Sequence, residues 1–368
     1  MDVKEFRDIY RRVMDEVLTV IIGQDHVLHL LFTAILAEGH VILTGVPGLG
    51  RTLIAETLGK VLGLKVKRIQ FTPDLLPTDV TGTEVIQLVD GVAHYKYVPG
   101  PIFANMVLAD EINRAPARTQ SALLEAMQEK QVTAAGTRYV LERPFIVVAT
   151  QNSLDTEGVY RLPEAQLDRF MMQIEIHYPS EEAEIGIIDA TTSMYHADPK
   201  VVINAAKLIE MQDFAKNIPV PQSVKEFAAK LVRGSRWERE KEKEKESVSG
   251  KRGRLKWNWL GLVHREEQKE RVAQYVRWGA SPRAGQALLR GAKVSAIVKG
   301  RTYVAREDII EMAYPVLAHR VIPDHRAGAK GLTSTDVVRR LVEEVCEETA
   351  PKPVSSRMKR LLVPITTK

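Results

Sequence analysis

The chain has 368 residues, of which 45% are hydrophobic and 27% charged, a composition ordinary for a globular protein with room for two domains. No apolar run approaches the roughly 20 residues that span a bilayer, and the charged N-terminus lacks a signal-peptide core. The single cysteine excludes an internal disulfide and a cysteine-based metal cluster, which favours a cytoplasmic location.

A glycine-rich segment follows the first apolar run of the chain. Residues 40–44 predict a buried strand, and residues 45–52 read Gly-Val-Pro-Gly-Leu-Gly-Arg-Thr. Apolar residues then recur at helical spacing, which predicts a helix that begins near Arg51. Strand, glycine turn and helix are the setting of a phosphate-binding loop, in which backbone N–H groups and the helix N-terminus bind phosphate oxygens. The predicted nucleotide contacts are Gly45, Pro47, Gly48, Leu49, Gly50, Arg51, Thr52 and Leu53.

Arg51 stands where the phosphate-loop pattern has a lysine. Arginine keeps the positive charge but is planar and bulkier. We expect nucleotide binding to survive because the backbone supplies much of the cradle. Hydrolysis is more sensitive to a misplaced charge, since transition-state stabilisation depends on its position. A nucleotide-dependent regulator that hydrolyses little, with Arg51 setting a slow switch, is therefore an alternative to an active ATPase.

Two further apolar runs end in polar side chains. Residues 106–109 precede Asp110 and Glu111, and residues 144–150 precede Asn152. We expect Asp110 to hold Mg²⁺ together with Thr52, Glu111 to polarise the attacking water, and Asn152 to hydrogen-bond the γ-phosphate and that water. Because parallel strands present their carboxyl ends at one edge of a sheet, these side chains are expected to surround one magnesium-bound triphosphate.

The order of the elements predicts two domains of different class. Strands alternate with helices over residues 1–178, which predicts an α/β domain with a parallel sheet covered on both faces. Alternation on both sides of Asp90 and Gly91 adds a hairpin at about 83–98. Residues 179–330 read as a helical domain, with one short strand pair around Thr302, and residues 331–368 as a last helix and a flexible basic tail. The predicted helices lie near 181–195, 203–214, 221–235, 282–298, 306–320 and 334–346.

The segment 236–271 is a charged insertion in the helical domain. It contains twelve Lys or Arg and eight Asp or Glu residues, a net charge of +4 within a chain total of +5. A mobile insertion, a partner-docking element and a nucleic-acid contact all remain open for it. The rest of the chain is close to neutral, which gives no support for a nucleic-acid motor or a restriction-type translocase.

Several longer runs carry a family resemblance between residues 20 and 325. They are Ile22–Gln24, Gly45–Thr52, Phe71–Pro77, Gly100–Asn105, Ala109–Ala115, Arg118–Met127, Ala149–Asn152, Leu162–Phe170 and Trp278–Ala284. With these runs the chain resembles the MoxR family of AAA+ ATPases. The resemblance implies a P-loop AAA+ core with a small all-helical lid, an ATPase that uses ATP and Mg²⁺, and a homo-oligomeric ring, expected to be a hexamer. It also implies chaperone-like remodelling of a partner protein, often one with a von Willebrand factor A domain.

The resemblance also assigns roles to single residues. Ile22 and Gly23 would line the adenine pocket, and Asn152 would be the first sensor. Arg283 matches the second sensor, a lid arginine that contacts the γ-phosphate of its own subunit. Arg169 matches the arginine finger, which reaches the nucleotide of the neighbouring subunit.

Other arginines leave the assignment of the finger open. Arg161 competes with Arg169 for this role, and Arg114 could brace the subunit interface. Arg169 could instead form a salt bridge within its own subunit, with Asp168 or Glu164. The hairpin at 83–98 would face the ring pore or a partner.

Overall fold

The computed structural model describes residues 1–89, 92–134, 136–152, 159–192, 197–236 and 272–349. Of the predicted charged insertion, only Arg236 is among these residues, and the basic tail after Thr349 lies outside them.

The first half of the chain mixes strands with helices. Its elements are α1 (Val3–Leu18), α2 (Asp25–Leu36), β1 (Val41–Gly45), α3 (Arg51–Val61), β2 (Val66–Gln70), α4 (Pro77–Thr81), β3 (Gly82–Val89), β4 (Val92–Pro99), β5 (Met106–Asp110), α5 (Ala117–Glu129), β6 (Gln131–Ala134), β7 (Thr137–Val140), β8 (Ile146–Asn152), α6 (Glu164–Leu167) and β9 (Met172–Ile176).

The second half is mostly helical. Its elements are α7 (Glu181–Thr192), α8 (Ala205–Lys216), α9 (Gln222–Gly234), β10 (Val276–Trp278), α10 (Pro282–Val298), α11 (Arg306–Leu317), β11 (Ile322–Pro323), α12 (His325–Ala329) and α13 (Ser334–Thr349).

Five parallel strands form the central sheet, in the order β2-β5-β8-β1-β9. Strand β5 is buried at all five positions, as expected for a parallel sheet covered on both faces. Parallel pairing brings the carboxyl ends of all five strands to one edge, which we call the carboxyl edge: Gly45, Gln70, Asp110, Asn152 and Ile176. The amino ends of the strands form the opposite edge.

Buried apolar side chains form two clusters, one on each face of the sheet. The smaller cluster packs α5 on one face. The larger one joins α1, α2 and α3 on the other face and continues without a break into α8, α9, α10 and α11. The α/β core with helices on both faces and the helical lid are therefore confirmed. Because core and lid share this cluster, the division at residue 178 stays a prediction.

Helix α1 shows how the sequence produces this packing. Phe6, Tyr10, Val13 and Val17 recur at three- and four-residue spacing and are buried on one stripe. The side chain of Asp2 caps the helix by accepting a hydrogen bond from the N–H of Glu5 at 2.7 Å. The apolar stripe fixes α1 between α3 and the lid helix α10.

The lid helices begin and end within a few residues of their predicted bounds. The strand pair predicted around Thr302 is wrong. Residues 302–304 form the loop between α10 and α11, where buried Val304 donates its N–H to the carbonyl of Pro219. The short pair instead joins β10 to β11. No helix within the described ranges is long and apolar enough to cross a membrane.

Two antiparallel hairpins project from the core. The predicted one is β3–β4, whose tip residues 90 and 91 lie outside the described residues. The second, β6–β7, was not predicted. Tyr97 of β4 stacks on Tyr139 of β7 with ring centroids 4.2 Å apart, so aromatic packing joins the hairpins at their bases. Farther out, Ile86, Leu88 and Tyr95 are exposed.

Candidate nucleotide site

The glycine-rich loop leaves the carboxyl end of β1 and enters α3 at Arg51. Gly48 and Gly50 have φ angles of +85° and +71°, a backbone conformation that favours glycine. A β-carbon at either position would meet no atom within 4 Å, so the space beside the loop is open. Backbone and helix N-terminus together form a cradle suited to an anion.

Thr52 and Asp110 lie side by side beneath this loop. The Thr52 hydroxyl donates to Asp110 Oδ2 at 3.5 Å, and Thr150 Oγ1 donates to Asp110 Oδ1 at 2.6 Å. Buried Thr150 also accepts the N–H of Glu111 at 2.9 Å, so one hydroxyl orients both acidic residues. A hydroxyl and a carboxylate are hard oxygen donors of the kind that Mg²⁺ prefers, so the residues present fit this ion.

Glu111 follows β5 in a strained backbone conformation. Its φ and ψ are +55° and +49°, the left-handed region that residues other than glycine seldom adopt. The carboxylate is held by Gln70, which donates to Oε2 at 3.1 Å, and by Arg114, whose Nε lies 3.2 Å from the same oxygen. Strain of this kind is often retained at functional sites.

Arg51 and Asn152 meet at the end of β8. Arg51 is 9% exposed, and its Nη1 donates to the carbonyl oxygen of Gln151 at 2.7 Å. Asn152 is buried and pairs in register with Gly45, the first residue of the glycine loop. The arginine side chain is therefore held on the sheet and not extended into the open space beside the loop.

Strand β2 contributes two residues to the site that the sequence analysis missed. Arg68 donates from Nη2 and Nε to Asp110 Oδ2 at 2.6 and 3.1 Å, and Gln70 contacts Glu111. The signal was available, because β2 is also a parallel strand whose carboxyl end lies at the same edge. Its polar residues lack the continuous apolar pattern of a buried parallel strand, so the sequence does not indicate that its carboxyl end belongs to the site.

Ile22 and Gly23 pack against the chain that leaves β9. A β-carbon on Gly23 would stand 2.5 Å from Cβ of Ala183, and one on Gly186 would stand 3.5 Å from Ile22. Gln24 donates to the carbonyl of His177 at 3.1 Å. Since β9 pairs with β1, this contact lies beside the strand that carries the glycine loop.

Arg169 and Arg283 lie at the amino edge of the sheet. Both line a cavity of about 240 Å³ together with His40, which immediately precedes β1. The carboxylate of Asp168 is 4.0 Å from Arg283 Nη1. Five residues of β1, at roughly 3.3 Å each, separate this edge from the glycine loop.

The packing of the lid sets the position of Arg283. The shared hydrophobic cluster packs α10 against α1, α2 and α9. The contact of Arg283 with the γ-phosphate of its own subunit stays a prediction, and its place beside the amino edge favours the nucleotide of a neighbouring subunit.

The other candidate fingers are placed differently. Arg114 contacts Glu111 of its own subunit, whereas Arg161 is exposed. Arg169 has neither of the salt bridges considered for it, and its side chain has no hydrogen-bond or ion-pair partner among the described residues; its backbone N–H donates to the carbonyl of Gln166 at 3.1 Å. Asp168 is instead bonded to Arg320, from Nε to Oδ1 at 2.7 Å.

A parallel sheet with a glycine loop, a threonine, a paired Asp-Glu and a helical lid defines a P-loop ATPase of the AAA+ class. The family model for the ATPase family associated with various cellular activities matches residues 40–172, and the AAA lid domain model matches residues 268–341.

Curated proteins and a solved structure are similar over most of the chain. Chaperone MoxR1 of Mycobacterium tuberculosis is 38% identical over 334 residues, 91% of this chain and 81% of that protein. Protein MoxR of Methylorubrum extorquens is 28% identical and covers 86% of this chain and 88% of its own length. The crystal structure of a candidate ATPase from Cytophaga hutchinsonii aligns with a TM-score of 0.78 at 36% identity, covering 93% of this chain and 95% of that one. The chain belongs to the MoxR family of AAA+ ATPases.

Proposed function

We propose that this chain binds and hydrolyses ATP in a ring of identical subunits, expected to be a hexamer, and uses the energy to remodel a partner protein. One observation carries the proposal. The carboxyl edge gathers Thr52, Asp110, Glu111 and Asn152 beside a glycine loop with open space next to it.

Each of these residues has a defined part in the proposed reaction. The loop N–H groups and the N-terminus of α3 bind the phosphates, while Ile22 and Gly23 border the adenine. Thr52 and Asp110 would hold Mg²⁺, which when bound neutralises charge on the outer phosphates. Glu111 accepts a proton from the attacking water, and the Asn152 amide orients that water against the γ-phosphate.

Glu111 is held through one of its two carboxylate oxygens. Gln70 and Arg114 both contact Oε2, so Oε1 can accept the proton from water while these contacts persist. A hydrogen bond with a charged partner contributes about 1.5–3 kcal/mol. Such contacts are strong enough to hold the base in one orientation.

The position of two arginines at the amino edge supports assembly as a ring. Arg169 and Arg283 lie at the amino edge, about 16 Å along β1 from their own glycine loop. Their guanidinium groups suit the charge that spreads over phosphoryl oxygens in the transition state. Both arginines therefore act on the nucleotide of a neighbouring subunit, and hydrolysis depends on assembly.

The projecting hairpins are the proposed contact with the partner protein. Ile86, Leu88 and Tyr95 are exposed apolar side chains on β3–β4, between 63% and 72% exposed. Exposed apolar groups clustered in one element often mark an interaction site. A partner with a von Willebrand factor A domain is suggested by family resemblance alone.

A weakly hydrolysing regulator is the second candidate, and the position of Arg51 favours it. A guanidinium held on the Gln151 carbonyl at 2.7 Å is not directed at the outer phosphates. The regulator would bind ATP tightly and change partners with nucleotide state while releasing phosphate slowly.

Glu111→Gln tests the main proposal. The variant keeps the size of the side chain but loses the base, so we expect nucleotide binding to persist and phosphate release to fall by about a hundredfold or more. Glu125→Gln, on the exposed face of α5, is the matched control. Equal phosphate release from Glu111→Gln and the wild type would refute hydrolysis at this site, and negligible release from the wild type despite tight binding would select the regulator.

A further inference from the structure

Asp168 joins the core to the lid through both carboxylate oxygens. Oδ1 accepts from Arg320 Nε at 2.7 Å, and Oδ2 accepts from the Ser281 hydroxyl at 2.8 Å. Arg283 Nη1 lies 4.0 Å from Oδ2. Residues 168 and 320 are 152 positions apart in the sequence, so this contact forms only when the lid is docked.

Arg320 binds the backbone on both sides of Arg169. It is 7% exposed, and its Nη2 donates to the carbonyls of Asp168 and Phe170. Its Nη1 donates to the carbonyl of Met171 at 3.1 Å. The peptide units around Arg169 are thus fixed by one buried guanidinium, while the Arg169 side chain lines the cavity without a partner among the described residues.

Ser281 fixes the second arginine in the same way. Its side chain caps α10 by accepting the N–H of Arg283 at 3.1 Å, and the same hydroxyl donates to Asp168. The first turn of α10 is therefore attached to the residue that precedes Arg169. One carboxylate sets the relative position of an arginine from the core and an arginine from the lid.

We infer that Asp168 and Arg320 are positioning residues that align Arg169 and Arg283 for the terminal phosphate of a nucleotide bound by the neighbouring subunit. The inference rests on the proposed function, because it requires the arginines to act between subunits. Placement matters for rate, since a misplacement of about 1 Å in a catalytic group can cost roughly a hundredfold.

The cavity has the charge expected of such a site. Arg169, Arg283, Arg290 and Lys130 line it, with Glu38 as the acidic residue that accompanies Asp168. Glu38 is already engaged, because Arg143 and Lys216 both bind its carboxylate. The cavity lining therefore keeps a net positive charge that suits an anion, and the Arg169 side chain has no ion-pair partner among the described residues.

Asp168→Asn is the first test. It keeps the shape of the side chain but removes the charge that holds Arg320 and orients Arg283. We expect phosphate release to fall by about ten- to a hundredfold while ATP affinity stays within about twofold, because the nucleotide cradle lies at the other edge. Asp15→Asn on the exposed face of α1 is the matched control.

Mixed assemblies separate positioning from a general loss of structure. Thr52→Ala subunits have a defective cradle but intact arginines. Asp168→Asn subunits have an intact cradle but misaligned arginines. Mixed in equal amounts, they should release phosphate several times faster than the sum of the two alone, since intact arginines then face an intact cradle. If Asp168→Asn lost activity only because its subunit does not fold, mixing would not restore phosphate release.

Arg169→Ala subunits mixed with Thr52→Ala subunits test the site between subunits separately from the positioning role of Asp168. If this pair complements and the Asp168→Asn pair does not, the positioning role is wrong and the site between subunits stands. If neither pair complements, both are overturned.

Ser281→Ala covers the case in which Asp168→Asn does not fold. It removes one bond to Asp168 and leaves Arg320 in place. We expect a smaller loss of phosphate release that Ser281→Thr restores, because threonine keeps the hydroxyl. Equal release from Ser281→Ala and the wild type would count against the alignment of Arg283.

Discussion

Arg51 lies in the first turn of α3 with its guanidinium bound to β8, on the carbonyl oxygen of Gln151. A lysine at this position would have a compact, mobile ammonium group and no planar fork to satisfy. It could extend into the open space beside Gly48 and Gly50, where the outer phosphates are proposed to lie. The substitution of arginine for lysine thus bears on transition-state stabilisation more than on binding.

Arg51→Lys should therefore raise turnover. We expect phosphate release to increase on the order of tenfold, about 1.4 kcal/mol of barrier, while the affinity for ATP changes by less than about threefold. Steady-state phosphate release and equilibrium nucleotide binding measure the two quantities. Unchanged or lower turnover would indicate that the site is adapted to arginine.

Arg68 places a cation on the carboxylate proposed to hold Mg²⁺. Its Nη2 is 2.6 Å from Asp110 Oδ2, the same oxygen that accepts from Thr52. The arginine and a divalent cation would compete for that oxygen, since two positive charges so close together repel one another. Arg68 is half-exposed, so it can turn toward solvent.

Arg68→Gln should lower the Mg²⁺ concentration needed for half-maximal binding of a fluorescent ATP analogue, by about three- to tenfold. Lys67→Gln is the control, because it removes the same charge from an adjacent exposed position on β2. A higher Mg²⁺ requirement in Arg68→Gln would show that Arg68 assists the metal site and does not compete for it.

Much of the site could be predicted because its signals are local. Thr52, Asp110, Glu111 and Asn152 each follow an apolar strand, and parallel pairing alone brings them to one edge. The position of Arg283 could not be predicted in this way. Its motif identifies a helix start, but only packing of the whole lid decides which edge of the sheet that helix approaches.

At the scale of elements, the hydrophobic periodicity predicted the lid helices and the β3–β4 hairpin. The β6–β7 hairpin was missed because its two strands have four residues each and are partly exposed, so they carry little pattern. Arg320 was missed for a related reason. Its partners in the core are about 150 residues away in the sequence, and no local pattern indicates them.

His40 connects three elements of the core. Its Nδ1 accepts the N–H of Val147 at 3.0 Å, and Nε2 bonds the carbonyl of Met127 at 3.2 Å. Burial lowers the pKa of His40 from 6.5 to about 4; the Met127 bond opposes this shift, and the charges of Lys130 and Arg290 add to it. The unfolded chain therefore binds a proton at a higher pH than the folded chain does.

Stability should consequently fall as the pH is lowered from 6.5 to about 4. We expect His40 to account for about 3 kcal/mol of the loss. In His40→Gln the decrease in the free energy of unfolding between pH 7.5 and 4 should be smaller by that amount, although the variant is less stable than the wild type at pH 7.5. Urea unfolding at several pH values measures this, with His26→Gln, at an exposed position, as the control. Identical pH dependence in wild type and His40→Gln would contradict the prediction.

At the scale of the whole molecule, the lid is bonded to the core by a polar network beside the shared hydrophobic cluster. Tyr10 of α1 is 2.7 Å from His29 Nδ1, and His29 Nε2 is 3.1 Å from Glu311 Oε1 on α11. Ser295 and Lys299 of α10 donate to Glu311 Oε2 at 2.6 and 2.5 Å. Burial alone raises the pKa of Glu311, but these bonds outweigh burial and hold the pKa below its usual range.

Such a network makes core and lid of one subunit a single mechanical unit. A shared cluster cannot be opened on one side without exposing apolar surface on the other. In the proposed ring, motions that accompany nucleotide turnover should then occur between subunits. This agrees with the proposal that Arg169 and Arg283 act on the nucleotide of a neighbouring subunit.

Unfolding should accordingly be one cooperative transition for core and lid together in the absence of nucleotide. Glu311→Gln removes the charge that the network is built around, and we expect it to lower the free energy of unfolding by about 1–3 kcal/mol without splitting the transition. Urea unfolding is followed by circular dichroism of the whole chain and by the fluorescence of Trp278 in the lid, with Trp237, Trp257 and Trp259 replaced by phenylalanine. Glu343→Gln on the exposed face of α13 is the control. Separate midpoints for the two signals in this background with Glu311 intact would mean that the lid opens independently, and subunit-level motion would then lose its physical basis.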